Sequence, residues 1–200
     1  MGEAHFTKHV MAEQQFVLVF ISTLLFAAAQ AESGNTGDGQ EVNIKKFLQE
    51  SHTIIVYQAT EGGNKTCIAD EYSTVTESHA VFKRHFTEGT KRSSFRLKGV
   101  FGPVQEGESR LTKMTVYMVE KNGTQLSEET MIFFSLTGNC GVFNVIDYTD
   151  NNKTWHDVRI KNGANLDHTP CLNFYNGIPQ KTPSRPVYVK SCPQVPSDSN

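Results

Sequence analysis

From residue 52 to residue 161 the chain alternates short β-branched and aromatic segments with turn sequences. That pattern predicts antiparallel strands at close spacing. Residues 52–60 read as the first strand, 67–76 as the second and 78–87 as the third, in which Ala80, Phe82, Arg84 and Phe86 share a face. Residues 93–98 form the fourth. There Phe95 and Leu97 alternate with Ser94, Arg96 and Lys98, which predicts one buried and one wet face. The Gly- and Pro-containing stretch 99–110 reads as a long loop. The fifth strand spans 111–120, with Met114, Val116 and Met118 on one face, and Asn122-Gly123 marks a hairpin turn. Residues 129–160 supply three more strands. In the first, Thr130, Ile132, Phe134 and Leu136 fall on one face; in the second, Phe143, Val145 and Asp147 lie opposite Val142, Asn144 and Ile146. Ahead of the strands, Ile44, Phe47 and Leu48 repeat at i, i+3, i+4, so residues 41–50 hold a short amphipathic helix that plugs or braces the sheet. Residues 163–177 read as helical or irregular, and 187–192 as a last extended piece. Eight strands with tight turns and no crossover helices predict an all-β, eight-stranded antiparallel up-and-down barrel, with a two-sheet sandwich as the competing arrangement.

Composition sets the compartment. The formal charge of −2 shows no basic excess, so neither nucleic acid nor a polybasic membrane attachment is indicated as a partner. The apolar run Phe16–Ala29 is shorter than the ~20 residues of a membrane span, and Ala29-Gln30-Ala31 follows it. This is the anatomy of a secretory signal, assigned to residues 1–31, with a flexible leader over 32–40, a barrel domain over 41–192 and a tail over 193–200. Four cysteines fit two disulfides in an oxidising compartment, and by sequence alone three pairings are open. Three sequons, at Asn64, Asn122 and Asn152, fall in turns and mark candidate glycosylation sites.

No sequence signature of a nucleophile, metal site, phosphate loop or cofactor site is present, so an enzyme is not expected. His79 and His85 lie opposite Phe82 and Phe86 and should face solvent. The barrel interior is the candidate site. Its expected wall is Tyr57, Phe82, Phe86, Phe95 and Leu97, then Met114, Val116, Met118, Ile132, Phe134 and Trp155. The alternative is that the same side chains simply fill a small core. An apolar or amphipathic lipid suits this wall, with Arg84 available to a polar head or lying at the mouth. An amine would need inward carboxylates, for which Asp147 and Asp157 are candidates.

The cysteine contexts Thr66-Cys67-Ile68, Asn139-Cys140-Gly141 and Cys171-Leu-Asn-Phe-Tyr175, with a last cysteine at 192, resemble the tick salivary lipocalins of the histamine-binding-protein type. Among their members the chain looks most like the Japanin-like branch. The resemblance covers about residues 41–192 and implies the pairs Cys67–Cys192 and Cys140–Cys171. It implies a secreted lipocalin that sequesters a small host ligand and so dampens inflammation or immunity; the apolar wall favours a sterol, fatty acid or eicosanoid before a biogenic amine such as histamine or serotonin. A lipocalin scaffold that instead binds a host immune-cell surface is a further alternative. The chain lacks the family's acidic-aromatic N-terminal signature and its Cys-x-Leu-Trp run; Trp155 is its single tryptophan. The family's histamine-binding residues therefore do not carry over.

Overall fold

The computed structural model describes residues 41–49, 51–120, 123–135, 137, 139–162, 170–179 and 182–195. The signal, the leader, Asn122 and residues 196–200 lie outside them. Nine strands follow the short helix α1 (Ile44–Gln49): β1 (Thr53–Ala59), β2 (Lys65–Val75), β3 (His79–Glu88), β4 (Lys91–Gly102), β5 (Lys113–Met118), β6 (Gln125–Ser135), β7 (Cys140–Asp147) and β8 (Lys153–Lys161), then helix α2 (Pro170–Gly177) and the two-residue β9 (Arg185–Pro186). Strands β2 to β8 pair with their sequence neighbours, β8 pairs with β1, and β1 returns to β2, so the sheet closes as an antiparallel eight-stranded barrel. Closure leaves an inside and an outside to every strand, which is why strict alternation organises the sequence.

β1 meets β2 over only three residue pairs, Thr53↔Glu71 to Ile55↔Ala69. Beyond them the two strands part, and the C-terminal segment enters the gap. Gln58 and Ala59 pair with Pro186 and Arg185. Pro186 has no N–H to give, so Val187 completes the seam: its N–H donates to Tyr57 O at 2.9 Å and its carbonyl accepts from Cys67 N at 2.7 Å. The expected extended piece is thus a two-residue strand just before 187. The Cys67–Cys192 disulfide fastens this segment to β2.

One barrel end is shut by α1. Asn43 Oδ1 caps it by accepting from Lys46 N at 3.1 Å. Its apolar face is fully buried: Phe47 lies 5.8 Å from the rings of both Phe134 and Phe143. Helix α2 lies on the outside, held by Cys140–Cys171. Under it the outer faces of β6, β7 and β8 are apolar, with Phe133, Val142, Val158 and Ile160 packed around Cys171 and Tyr175.

Two expectations about strands change. β4 runs on through Gly102 rather than ending at Lys98, because Gly99 and Phe101 continue its inward alternation. Gly99 is there for space: a Cβ at this position would sit 2.1 Å from Met114 Sδ. In β6 a bulge between Met131 and Phe133 shifts the register against β7. Met131 and Phe134 both point into the barrel, while Ile132 and Phe133 pack outside under α2.

Candidate functional site

A cavity of about 390 Å³ opens at the barrel end opposite α1. Its wall is apolar: Val56, Ile68, Phe86, Leu97, Val116 and Met118 on one side, Leu126, Val145 and Trp155 on the other. Phe95 stands at the mouth, 42% exposed, with its ring 5.4 Å from that of Phe86. Glu61, Lys65, Thr124, Asp147 and Thr149 complete the rim.

The floor is ionic. Strand alternation brings Arg84 (β3), Glu129 (β6), Asp157 and Arg159 (β8) to one level across the barrel, with Asp70 (β2) behind Arg84. Arg84 grips Asp70 with two bonds of 2.7 Å and reaches Glu129 Oε1 at 2.9 Å. Arg159 grips Asp157 at 2.9 and 3.1 Å and bonds the other oxygen of Glu129. Ser127 Oγ donates to Glu129 at 3.2 Å. These paired guanidinium–carboxylate bonds are the strong, oriented kind. Burial pushes the Glu129 carboxyl up, but the charges and hydrogen bonds of Arg159 and Arg84 override it and hold it at about 2. Both guanidiniums are themselves held above their ordinary range: burial works against each, and Asp157 and Glu129 for Arg159, Asp70 and Glu129 for Arg84, outweigh it. For Asp157 burial wins over Arg159, and its carboxyl is pushed up. Three carboxylates here face two guanidiniums, and a third buried cation, Lys161, lies two residues further along β8 over the rings of Phe47 and Phe134. The Tyr72 ring stacks on Phe82 at 4.9 Å beside this cluster, and its buried hydroxyl has no hydrogen-bond partner among the described residues.

Of the residues expected on the wall, Phe86, Phe95, Leu97, Val116, Met118, Asp147 and Trp155 line the cavity, and Arg84 belongs to its floor. Phe82, Met114 and Phe134 point inward but pack in the core with α1. Tyr57 and Ile132 are corrections: Tyr57 continues the outward set of Ile55, Ile132 follows the inward Met131, and both pack against the cluster under α2. Asp147 reaches the mouth, not the depth, and its Oδ1 accepts from both Thr149 N and Thr149 Oγ1 at 2.7 Å. Glu129, Asp70 and Arg159 escaped the sequence reading. The spacing Ser127, Glu129, Met131 held the signal for Glu129, since it is the inward set of β6 up to the bulge. His85 is on the outer face as expected, its Nε2 3.0 Å from Glu71. Asn64 and Asn152 are exposed in turns, and all four cysteines are paired as the family resemblance implied.

The barrel with one end plugged by a helix, a second helix on its flank and a cavity at the other end is lipocalin-like. Among solved structures the chain is similar to Japanin from Rhipicephalus appendiculatus bound to cholesterol, in an orthorhombic crystal form, at 9% sequence identity and a TM-score of 0.48, over 70% of this chain and 94% of that one. No family model and no curated protein matches the chain.

Proposed function

We propose that the protein sequesters a small, largely apolar ligand whose polar end is a hydrogen-bond donor, such as a sterol-like alcohol. The observation that carries this reading is an apolar cavity standing on an ionic floor that is already internally paired. The wall supplies burial at about 25 cal/mol per Å² of apolar surface. The floor sorts head groups. A fatty acid or an eicosanoid would add a carboxylate to a site where carboxylates already outnumber guanidiniums, so these lipids fit less well than an alcohol. A hydroxyl can donate to Asp157 or Glu129 without bringing charge.

A biogenic amine is the second reading. The upward push of burial on Asp157 favours it, since a cation beside it would stabilise the ionised carboxylate. Asp147 is a weaker anchor, because Thr149 already occupies its oxygen. On either reading the protein acts by removing a host mediator from solution, the role implied by the family resemblance in its cysteine contexts.

The test is equilibrium binding of radiolabelled cholesterol, palmitate and histamine to the secreted protein, read by gel filtration. The proposal expects cholesterol to be retained and palmitate to bind at least several-fold more weakly. Filling the cavity with Val116→Trp should abolish retention while the circular dichroism spectrum stays that of the barrel. Retention of histamine alone, lost in Asp157→Asn, would replace the lipid reading by the amine reading. Preferred retention of palmitate would refute the head-group argument.

A further inference from the structure

The antiparallel barrel places the connections β1–β2, β3–β4, β5–β6 and β7–β8 at the open end and the others at the end closed by α1. Asn64 sits in the first of these connections and Asn152 in the last; Asn122, outside the described residues, belongs to the link between β5 and β6. The chain's three sequons therefore all fall on connections at the mouth, and the connections at the plugged end carry none.

The described turns lie on the rim itself. Glu61 and Lys65, which flank Asn64, line the cavity, as does Thr149, three residues before Asn152. Lys153 Nζ donates to Gly62 O at 3.3 Å, so the two sequon turns touch. Asn64 is exposed, and Asn152 stands exposed in a left-handed turn with φ of 55°, a conformation that asparagine tolerates. Beside them the rim shows apolar side chains to water, with Phe95, Val119 and Tyr148 all more than a third exposed. The two disulfides are those of a chain that folds in an oxidising compartment, where N-glycosylation also takes place.

We infer that N-linked glycans on Asn64 and Asn152 form a partial collar over the barrel mouth, admitting small molecules and excluding large ones. In each attachment the asparagine amide nitrogen bonds to the anomeric carbon of a lipid-pyrophosphate-linked oligosaccharide. The bond from that carbon to the pyrophosphate oxygen breaks, the pyrophosphate lipid departs, and the amide gives up one proton. The bulky, hydrated glycans then stand over the apolar rim. The β3–β4 turn has no sequon and is the bare sector of the collar, beside Phe86 and Phe95. The collar is independent of which ligand the cavity takes.

Trp155, the single tryptophan, lines the cavity and reports access to it. The experiment uses full-length protein secreted from a eukaryotic host. Glycopeptide mass spectrometry should find Asn64 and Asn152 occupied. Quenching of Trp155 by acrylamide should be unchanged when the folded protein is treated with peptide-N-glycosidase. Quenching by a dextran-linked quencher should rise several-fold on that treatment, and also in the Asn64→Gln/Asn152→Gln variant. Unmodified asparagines would overturn the inference, as would occupied ones that leave dextran quenching the same before and after glycan removal.

Discussion

Glu129 is the residue on which the barrel interior turns. It is fully buried and accepts hydrogen bonds from Arg84 on both oxygens, the shorter on Oε1, and from Arg159 on Oε2. Glu129→Gln removes the shared counter-charge and leaves two guanidiniums buried, which should cost about 3–5 kcal/mol in urea unfolding. Asp157→Asn should behave differently. Its carboxyl is pushed up by burial, so its ionised form costs stability at any pH above that raised value, and removing the charge leaves two guanidiniums against two carboxylates. Its unfolding midpoint at pH 7 should equal or exceed that of the parent; a loss as large as that of Glu129→Gln would refute the charge count. The pH dependence follows from Glu129. Its pKa falls from 4.5 to about 2 on folding, so the unfolded chain binds more protons between those values. The contribution of Glu129 is complete above pH 4.5 and drains away as pH falls toward 2, by about 3 kcal/mol in total. Urea midpoints measured from pH 6 to pH 2 should show that acid limb, and Glu129→Gln should flatten it. The sequence reading named Arg84 and Asp157 but not the Glu129 that links them. A Glu in a strand normally signals the wet face, and only the closed barrel makes its polar neighbours the inside.

The elements were largely legible, because alternation in β3, β4, β5 and β7 matches the observed inward sets. Where the reading failed, a specific device intervened. The bulge in β6 leaves Phe133 outside and brings Phe134 in, so Ile132 and Phe134 do not share a face, and periodicity cannot show an inserted residue. In β8 the apolar positions Val158 and Ile160 face outward under α2, while Trp155, Asp157 and Arg159 face in. A sheet sector covered on both sides loses the contrast from which orientation is read. The tethers that hold these elements differ in loop length. Cys67–Cys192 spans 125 residues and Cys140–Cys171 spans 31. Replacing the first pair by alanines should therefore cost more, roughly 5 kcal/mol against 3–4 for the second. Thermal melts of the two double variants check the order, and the reverse order would sink the loop-length argument.

At the scale of the whole molecule, the sequence announced a barrel with an interior but not its division into a packed half under α1 and a hollow half above the ions. That division depends on where long side chains meet across the barrel, which no single strand encodes. One further property belongs to the fold as a whole. The segment Arg185–Val187 occupies the place where β1 and β2 separate, so the backbone groups of Tyr57, Ala59 and Cys67 find partners within the chain. Without it, the sheet would expose a free edge, the feature through which β proteins recruit one another into aggregates. Val187→Pro removes the N–H given to Tyr57 while leaving the nearby disulfide in place. Light scattering at rising protein concentration should show self-association of this variant and none of the parent; a variant as monodisperse as the parent would show that the strap does not guard the edge. On this prediction the C-terminal strap is a device against self-recognition, keeping each barrel a separate molecule at high concentration.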